Sequence, residues 1–303
     1  CLDSILSQDY DKLEVILIDD GSTDDSGTIC DAYAQRDNRI RVIHQKNGGA
    51  AAAKNAGLRA AAGEYLSFAD SDDFLEPGAY AYMMSLLKEN GADIVRCAFP
   101  NRSPTPRAAG PADESRCVME GKAFLARFAT DWTCGLLWNK LYKRALFDGI
   151  FFEEGHKIDD EYFTYQGVMN AAKVVCDPRV VYNYRQRASS VMQSPAARAQ
   201  IAIDRIDFMA KRREKVLERF PELRREFDIS FVDALSYLAD YPDNTEESIR
   251  LLKYYARRYF LQRGNTFPPR YLLKAVLLMY VTGTEKLLKR PQAKKPSPED
   301  YYA

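Results

Sequence analysis

GEYLSFADSDDF, Gly63 to Phe74, decides the reading of this chain. Four strand-type residues, Tyr65, Leu66, Ser67 and Phe68, run straight into the carboxylates Asp70, Asp72 and Asp73. At the end of a strand, a turn brings Asp70 and Asp72 toward one point. A pair of hard oxygen ligands open to solvent suits Mg²⁺ or Mn²⁺ carrying phosphate groups. Ligands of open α/β sheets sit outside the carboxyl ends of the strands. These residues therefore point to a divalent metal that holds a nucleotide diphosphate. The alternative is an acidic turn capping the next helix, whose start is marked by Glu76-Pro77-Gly78.

Outward from this stretch, strand and helix alternate at short spacing. Leu13 to Ile18 is an apolar run that reads as a buried parallel strand. Ser22, Thr23 and Asp24 are N-cap residues for a helix over roughly 24–36. Ile40 to Ile43 is a second strand. An alanine-rich helix follows Gly48-Gly49 and ends at Gly63. Residues 64–69 form a third strand, Pro77 to Asn90 a helix closed by Gly91, and Asp93 to Phe99 a fourth strand. The pattern predicts a mostly parallel α/β sheet with right-handed crossovers. PNRSPTPRAAGPADES (100–115) reads as an exposed loop, either a lid or a plain insertion. Helices are expected at GKAFLARFAT, WNKLYKRALF and IDDEYFTYQGVMNAAK, and a strand at VVYNYRQR (180–187). From Ala196 to about Leu238 the pattern is helical with one break at Pro221, and residues 246–263 and 270–290 read as further helices.

Several clusters carry chemistry. Asp19-Asp20-Gly21-Ser22 follows the first strand, where a carboxylate can accept a hydrogen bond from a base N–H or a ribose hydroxyl; a capping turn is compatible with that role. Gly48-Gly49 lets backbone amides approach an anion at a helix N-terminus. The full GxGxxG fingerprint is absent, which disfavours a dinucleotide-binding dehydrogenase. Lys54 and Asn55, further along that helix, point either at a diphosphate or at solvent. Asp159-Asp160-Glu161 opens a helix, as a cap or as the source of a general base that removes a hydroxyl proton. His156 precedes it and reads as structural more than substrate-touching. Trp138-Asn139-Lys140 offers a flat platform, an amide and a cation, unless Trp138 is core and Lys140 solvated. Arg187, beside Ser189-Ser190, either pairs with phosphate oxygens or lies on the surface.

Taken in order, VILIDDGSTDDS (15–26), NGGAAAAKNAGL (47–58), GEYLSFADSDDF (63–74), LWNKLYKRALF (137–147), IDDEYFTY (158–165) and YNYRQRASS (182–190) resemble the family 2 glycosyltransferases of the GT-A fold. The resemblance covers about residues 1–190. It implies a Rossmann-like catalytic domain over 1–190, with a nucleotide-sugar half at 1–99 and an acceptor half at 117–190, followed by a helical extension over 191–303. It further implies an inverting transferase that passes a sugar from a nucleotide diphosphate, most often UDP, to an acceptor hydroxyl of a carbohydrate or lipid-linked glycan. Asp19, Asp20, Lys54, Asn55, Asp70 and Ser71 then contact the nucleotide sugar, and Asp70 and Asp72 hold Mn²⁺ or Mg²⁺. Asp160 is the base, with Trp138, Asn139, Lys140, Asp159 and Arg187 as acceptor or diphosphate candidates. Asp159 stands where the family's usual pair has Glu, and the family's first strand with its nucleotide-contacting segment is absent ahead of Cys1. The chain opens inside a helix, so an upstream piece is expected to be missing from this numbering. The Q-x-x-R-W signature of processive synthases is missing too, because Ala188 follows Arg187; single-sugar transfer is expected.

Composition bounds the rest. Lys and Arg number 43 and Asp and Glu 43 across 303 residues, so net charge predicts no nucleic-acid partner. Charge is uneven, however: twelve Lys/Arg and one acid, Glu285, lie between Arg250 and Lys295. Residues 270–290 combine an apolar stripe with basic flanks, which suits either a peripheral membrane contact or a helix packed on protein. YYARRYF (254–260) mixes aromatics with Arg but lacks the broader basic surface of a nucleic-acid binder. Six scattered cysteines without CxxC pairs suit reduced thiols in the cytoplasm, with Cys30 and Cys97 in the core. No run of 18 apolar residues spans a bilayer. Protein at the inner face of the cell membrane is compatible with this reading. The competing readings are a nucleotidyltransferase, whose basic glycine-rich loop is not visible, and a non-catalytic scaffold.

Overall fold

Branched apolar residues in succession form β1 (Val15–Asp19), which pairs in parallel with β2 (Ile40–His44), Val15 opposite Ile40 and Asp19 opposite His44. The structure is a computed structural model and describes residues 1–100, 115–185, 195–239 and 246–260. α1 (Leu2–Leu6) precedes this pair, α2 (Ser26–Ala34) joins its strands, and α3 (Ala50–Ala60) packs on β1. Only Val15 of β1 is buried. The fully buried strand expected from the apolar run is not found, because among the described residues β1 pairs with β2 alone. α2 starts at an Asp25 N-cap without a side-chain cap bond, not at the expected Ser22–Asp24. Cys30 on α2 is half-buried, whereas Cys97 is in the core as expected; none of the six cysteines forms a disulfide.

The central sheet has five strands in the order β3 (Tyr65–Leu66), β7 (Lys140–Lys143), β5 (Ile94–Ala98), β8 (Lys173–Val180) and β6 (Cys117–Glu120). Only β5 and β8 run parallel within it; the other pairs are antiparallel. The sheet is thus mixed where strand–helix alternation predicts a mostly parallel one. The reversal comes from β7, which enters between β3 and β5 and runs against both. β7 also replaces the helix expected at WNKLYKRALF: residues 140–143 are a strand, and only Arg144–Phe147 coil, as a short 3-10 turn. All five residues of β5 are buried, as befits a strand covered on both faces.

α4 (Ala79–Asn90) lies between left-handed glycines, Gly78 and Gly91, and buries Met83, Leu86 and Leu87 one turn apart. These side chains form one core with Val15, Ile40, Val95, Val175 and Tyr182. α5 (Gly121–Arg127) follows β6, and α6 (Asp160–Asn170) precedes β8. A Cβ at Gly167 on α6 would lie 2.2 Å from the Phe147 ring, so the missing side chain lets Phe147 and Phe163 stack face to face at 4.3 Å. β4 (Phe74–Leu75) pairs antiparallel with β9 (Tyr182–Asn183); of the strand expected over 180–187, Val180 closes β8, Tyr182 and Asn183 form β9, and residues 186–187 lie outside the described residues.

Two compact units divide the chain. The first holds residues 1–100, 115–124 and 133–185, and the second holds 125–132 with everything described beyond 195. The second unit is helical: α7 (Pro195–Arg219), a break at Pro221–Leu223, α8 (Arg224–Ala239) and α9 (Glu246–Phe260). Ala202, Ile206, Phe231, Leu235, Leu252 and Ala256 form its core. Arg213 donates to Asp228 inside it from Nε at 2.7 Å. Among the described residues no helix is long and apolar enough to cross a membrane. The loop over 101–114, most of the basic stretch 250–295 and the helix expected at 270–290 lie outside the described residues.

Candidate functional site

The ladder of β3 stops at Leu66, short of the expected 69, because the chain turns inward. The Phe68 ring meets Phe152 and Phe163 edge-on at 5.8 and 6.0 Å. The acidic turn follows, closed by the Asp73 amide donating to the Asp70 carbonyl at 3.1 Å. Its carboxylates separate by role. Asp73 is buried; the Tyr182 hydroxyl donates to its Oδ2 at 2.8 Å and the Arg185 amide to its Oδ1 at 2.7 Å. The same hydroxyl accepts the Asp70 amide at 2.9 Å. Tyr182 therefore pins the turn from the facing strand β9, a role that sequence reading missed; the only signal was an aromatic at the start of YNYRQR. Asp70 and Asp72 are half-buried and Ser71 is exposed. Burial pushes the Asp70 carboxyl up to about 7, against the pull of Lys54 and with Asp160, Asp73 and Asp72 adding to the rise. An all-oxygen donor set with this excess of negative charge fits a hard divalent cation, which would restore the Asp70 carboxylate.

Lys54, on α3, reaches the second acid pair. Its Nζ donates to Asp159 at 2.9 and 3.0 Å and to Asp160 at 3.0 Å, and lies 5.5 Å from the Phe152 ring centre. Asp159 is the N-cap residue of α6 but makes no side-chain cap bond, and Asp160 is the first residue of the helix. Burial pushes Asp159 up to about 6. Burial also works against the Asp160 charge, yet Lys54 and a hydrogen bond from Asp159 hold its carboxyl below the usual range. Of the two, Asp159 is thus the weaker acid and Asp160 the carboxyl held ionised. Asn55, 2% exposed, donates to the Phe152 carbonyl and to Glu154, both at 3.0 Å, and accepts the Phe152 amide at 2.7 Å. It faces neither a diphosphate nor solvent, because its amide is taken up by the chain.

Asp19 and Asp20 are also engaged internally. Hydrogen bonds from Ser22 and His44 hold Asp19 at about 2; His44 Nδ1 is 2.8 Å away, and its Nε2 faces Asp31 at 3.0 Å. Asp20 accepts Gln45 at 2.7 Å, the Gly48 amide at 2.9 Å and the Gly49 amide at 2.7 Å. Burial opposes its charge, but these donors hold it below the usual range. Gly49, the N-cap of α3, has φ 88°, a left-handed backbone that glycine adopts without strain.

Trp138, Asn139 and Lys140 are not an open platform. Trp138 is 8% exposed, stacked on Tyr182 at 4.6 Å and Tyr184 at 5.9 Å with Phe99 edge-on at 4.8 Å. Asn139 donates to the Cys97 carbonyl at 3.0 Å and accepts Lys140 Nζ at 2.8 Å. Lys140 is fully buried rather than solvated, and also donates to the Leu136 carbonyl. His156 stacks on Tyr162 at 4.5 Å and pairs with Glu153 at 3.1 Å. Arg187, Ser189 and Ser190 lie outside the described residues.

Comparison with known proteins places this geometry. The profile of glycosyl transferase family 2 matches residues 1–156. The chain is 38% identical over 204 residues to glycosyltransferase GlyG of Streptococcus pneumoniae serotype 4, covering 64% of this chain and 68% of that protein. It is 34% identical to the uncharacterized glycosyltransferase EpsJ of Bacillus subtilis, covering 64% of this chain but only 59% of the relative's length. Among solved structures, S. aureus TarS 1–349 in complex with UDP-GlcNAc superposes with a TM-score of 0.64 at 18% identity, covering 92% of this chain and 84% of that one. Mannosyltransferase PcManGT of Pyrobaculum calidifontis, in complex with GDP-Man and Mn²⁺, gives 0.50 at 19% identity over 92% of this chain and 81% of that one. The mixed α/β sheet is accordingly of the GT-A type, and the chain belongs to glycosyl transferase family 2.

Proposed function

We propose that this chain transfers one sugar from a nucleotide diphosphate, UDP being the first candidate, to an acceptor hydroxyl with inversion at the anomeric carbon. The observation that carries this reading is the grouping of two acid sets around Lys54. The acidic turn at Asp70 and Asp72 and the pair Asp159–Asp160 lie within electrostatic reach of one ammonium. Asp160, held ionised, accepts the acceptor's hydroxyl proton. The acceptor oxygen bonds to the anomeric carbon as the bond to the diphosphate oxygen breaks on the opposite face. Asp70 and Asp72 would hold Mn²⁺ or Mg²⁺, which supplies charge stabilisation for the departing diphosphate. TarS and PcManGT, solved with UDP-GlcNAc and with GDP-Man and Mn²⁺, support a nucleotide-sugar donor.

Calorimetry with UDP tests the site. The intact protein is expected to bind UDP in the presence of Mn²⁺ and weakly without it, and Asp72→Ala to abolish the metal-dependent part. No binding by the intact protein under either condition overturns the UDP assignment and favours a scaffold.

The acceptor proposed is a glycan, free or lipid-linked, met at the inner membrane surface. Arg250, Lys253, Tyr254, Arg257 and Arg258 of α9 line one shallow groove, and Tyr254 is 52% exposed. A cationic face with an exposed tyrosine suits anionic headgroups. The full chain is expected to pellet with phosphatidylglycerol vesicles at low salt and not with phosphatidylcholine vesicles. Failure to pellet with anionic vesicles overturns the membrane contact.

A further inference from the structure

We infer that Lys54 and Asn55, consecutive residues on α3, are positioning residues that clamp the acid pair Asp159–Asp160 in place, and that Lys54 is not a ligand of the donor diphosphate. The inference rests on the transferase reading for its consequence but on geometry for its substance. Both side chains reach across about a hundred residues of sequence to the same segment, 152–160. Asn55 grips the Phe152 backbone through both its carbonyl and its amide, as a neighbouring strand would. Lys54 uses its ammonium donors on both carboxyls of the pair, so its charge is already neutralised. A lysine in that state has little left to offer a phosphate, while a buried carboxyl pair without it would carry uncompensated charge.

The same α3 begins at Gly49, whose amide is held by Asp20. One short helix therefore connects the glycine loop to the acid pair. Around the clamp stand further charged and titratable groups: Asp70 from the acidic turn, Lys140 and Tyr142 from β7. Removing Lys54 takes away the largest positive charge acting on Asp160 and Asp159, with Asp70 nearby adding like charge. Carboxyls so placed bind protons more tightly in the folded chain than in the unfolded one. Their cost is thus full at alkaline pH and shrinks as pH falls.

Thermal melting of the full chain tests this without substrate. Lys54→Met is expected to lower the midpoint by about 6 °C or more at pH 8, and by much less at pH 5. Lys54→Arg should keep most of the stability at both pH values. In an Asp159→Asn background the Lys54→Met penalty at pH 8 should shrink but persist, because one of the two carboxyls that Lys54 binds is gone while Asp160 remains. UDP affinity in Mn²⁺ should fall by less than about tenfold in Lys54→Met, through the lost pull on Asp70 alone. A penalty equal at pH 5 and pH 8, or one unaffected by Asp159→Asn, overturns the clamp. So does an unchanged melt accompanied by a loss of UDP affinity of about tenfold or more, the mark of a direct phosphate contact. Absence of UDP binding in the wild-type chain would instead overturn the donor reading, and the melting arms would still decide the clamp.

Discussion

Asp160→Asn is expected to lower sugar transfer about a thousandfold while leaving UDP and Mn²⁺ binding intact. The amide keeps the shape of the carboxylate but cannot take a proton. Lys54, which donates to Asp160 at 3.0 Å, keeps its two bonds to Asp159, so the clamp and the fold survive. The loss should fall on kcat rather than on the donor's KM, because the missing step is the acceptor's deprotonation. Asp159→Asn should be milder, since Asp160 and not Asp159 is the carboxyl held below the usual range. Equal losses in the two variants, or retained transfer in Asp160→Asn, would move the base elsewhere.

Trp138→Ala is expected to destabilise the first unit by about 3–5 kcal/mol, the range for truncating a buried large aromatic. Trp138 is sandwiched with Tyr182 and Tyr184 and edged by Phe99. Tyr182 in turn pins Asp70 and Asp73, so the cavity should loosen the acidic turn and weaken metal-dependent UDP binding as well. Trp138→Phe should recover part of both. Denaturant unfolding followed by the remaining fluorescence and by circular dichroism measures this. A variant as stable as wild type with only a raised acceptor KM would reinstate the sugar platform suggested by Trp138-Asn139-Lys140.

Elements whose signals are local were legible. The helix ending at Gly91 and the break at Pro221 follow from glycine and proline chemistry, and β1, β2 and β5 from their apolar runs. Elements defined by distant partners were not. KLYK at 140–143 carries two lysines and reads as helix; its strand nature comes from pairing with β3 and β5, and Lys140 is buried where the Asn139 side chain and backbone carbonyls receive it. KVVCDPRV at 173–180 contains Asp-Pro, a turn signal. Yet the register slips between Cys97 and Ala98 on the partner strand, which lets Pro178 sit at an irregularity where no ladder amide is needed. In the site, the acid types and their order were readable from motifs. Their partners were not, since nothing in the spacing of Lys54, Asn55 or Tyr182 announces contacts a hundred residues away.

The carboxylate of Asp20, seated on the amides of Gly48 and Gly49, has a consequence for the order in which ligands arrive. A helix start with free amides attracts phosphate unaided. Here that attraction is satisfied from within by a resident anion, and Lys54 is likewise occupied by Asp159 and Asp160. A bare diphosphate approaching Asp70 and Asp72 would meet like charge. The same diphosphate escorted by a divalent cation would not, so on the proposed reading the expected ligand is the escorted nucleotide rather than the bare one.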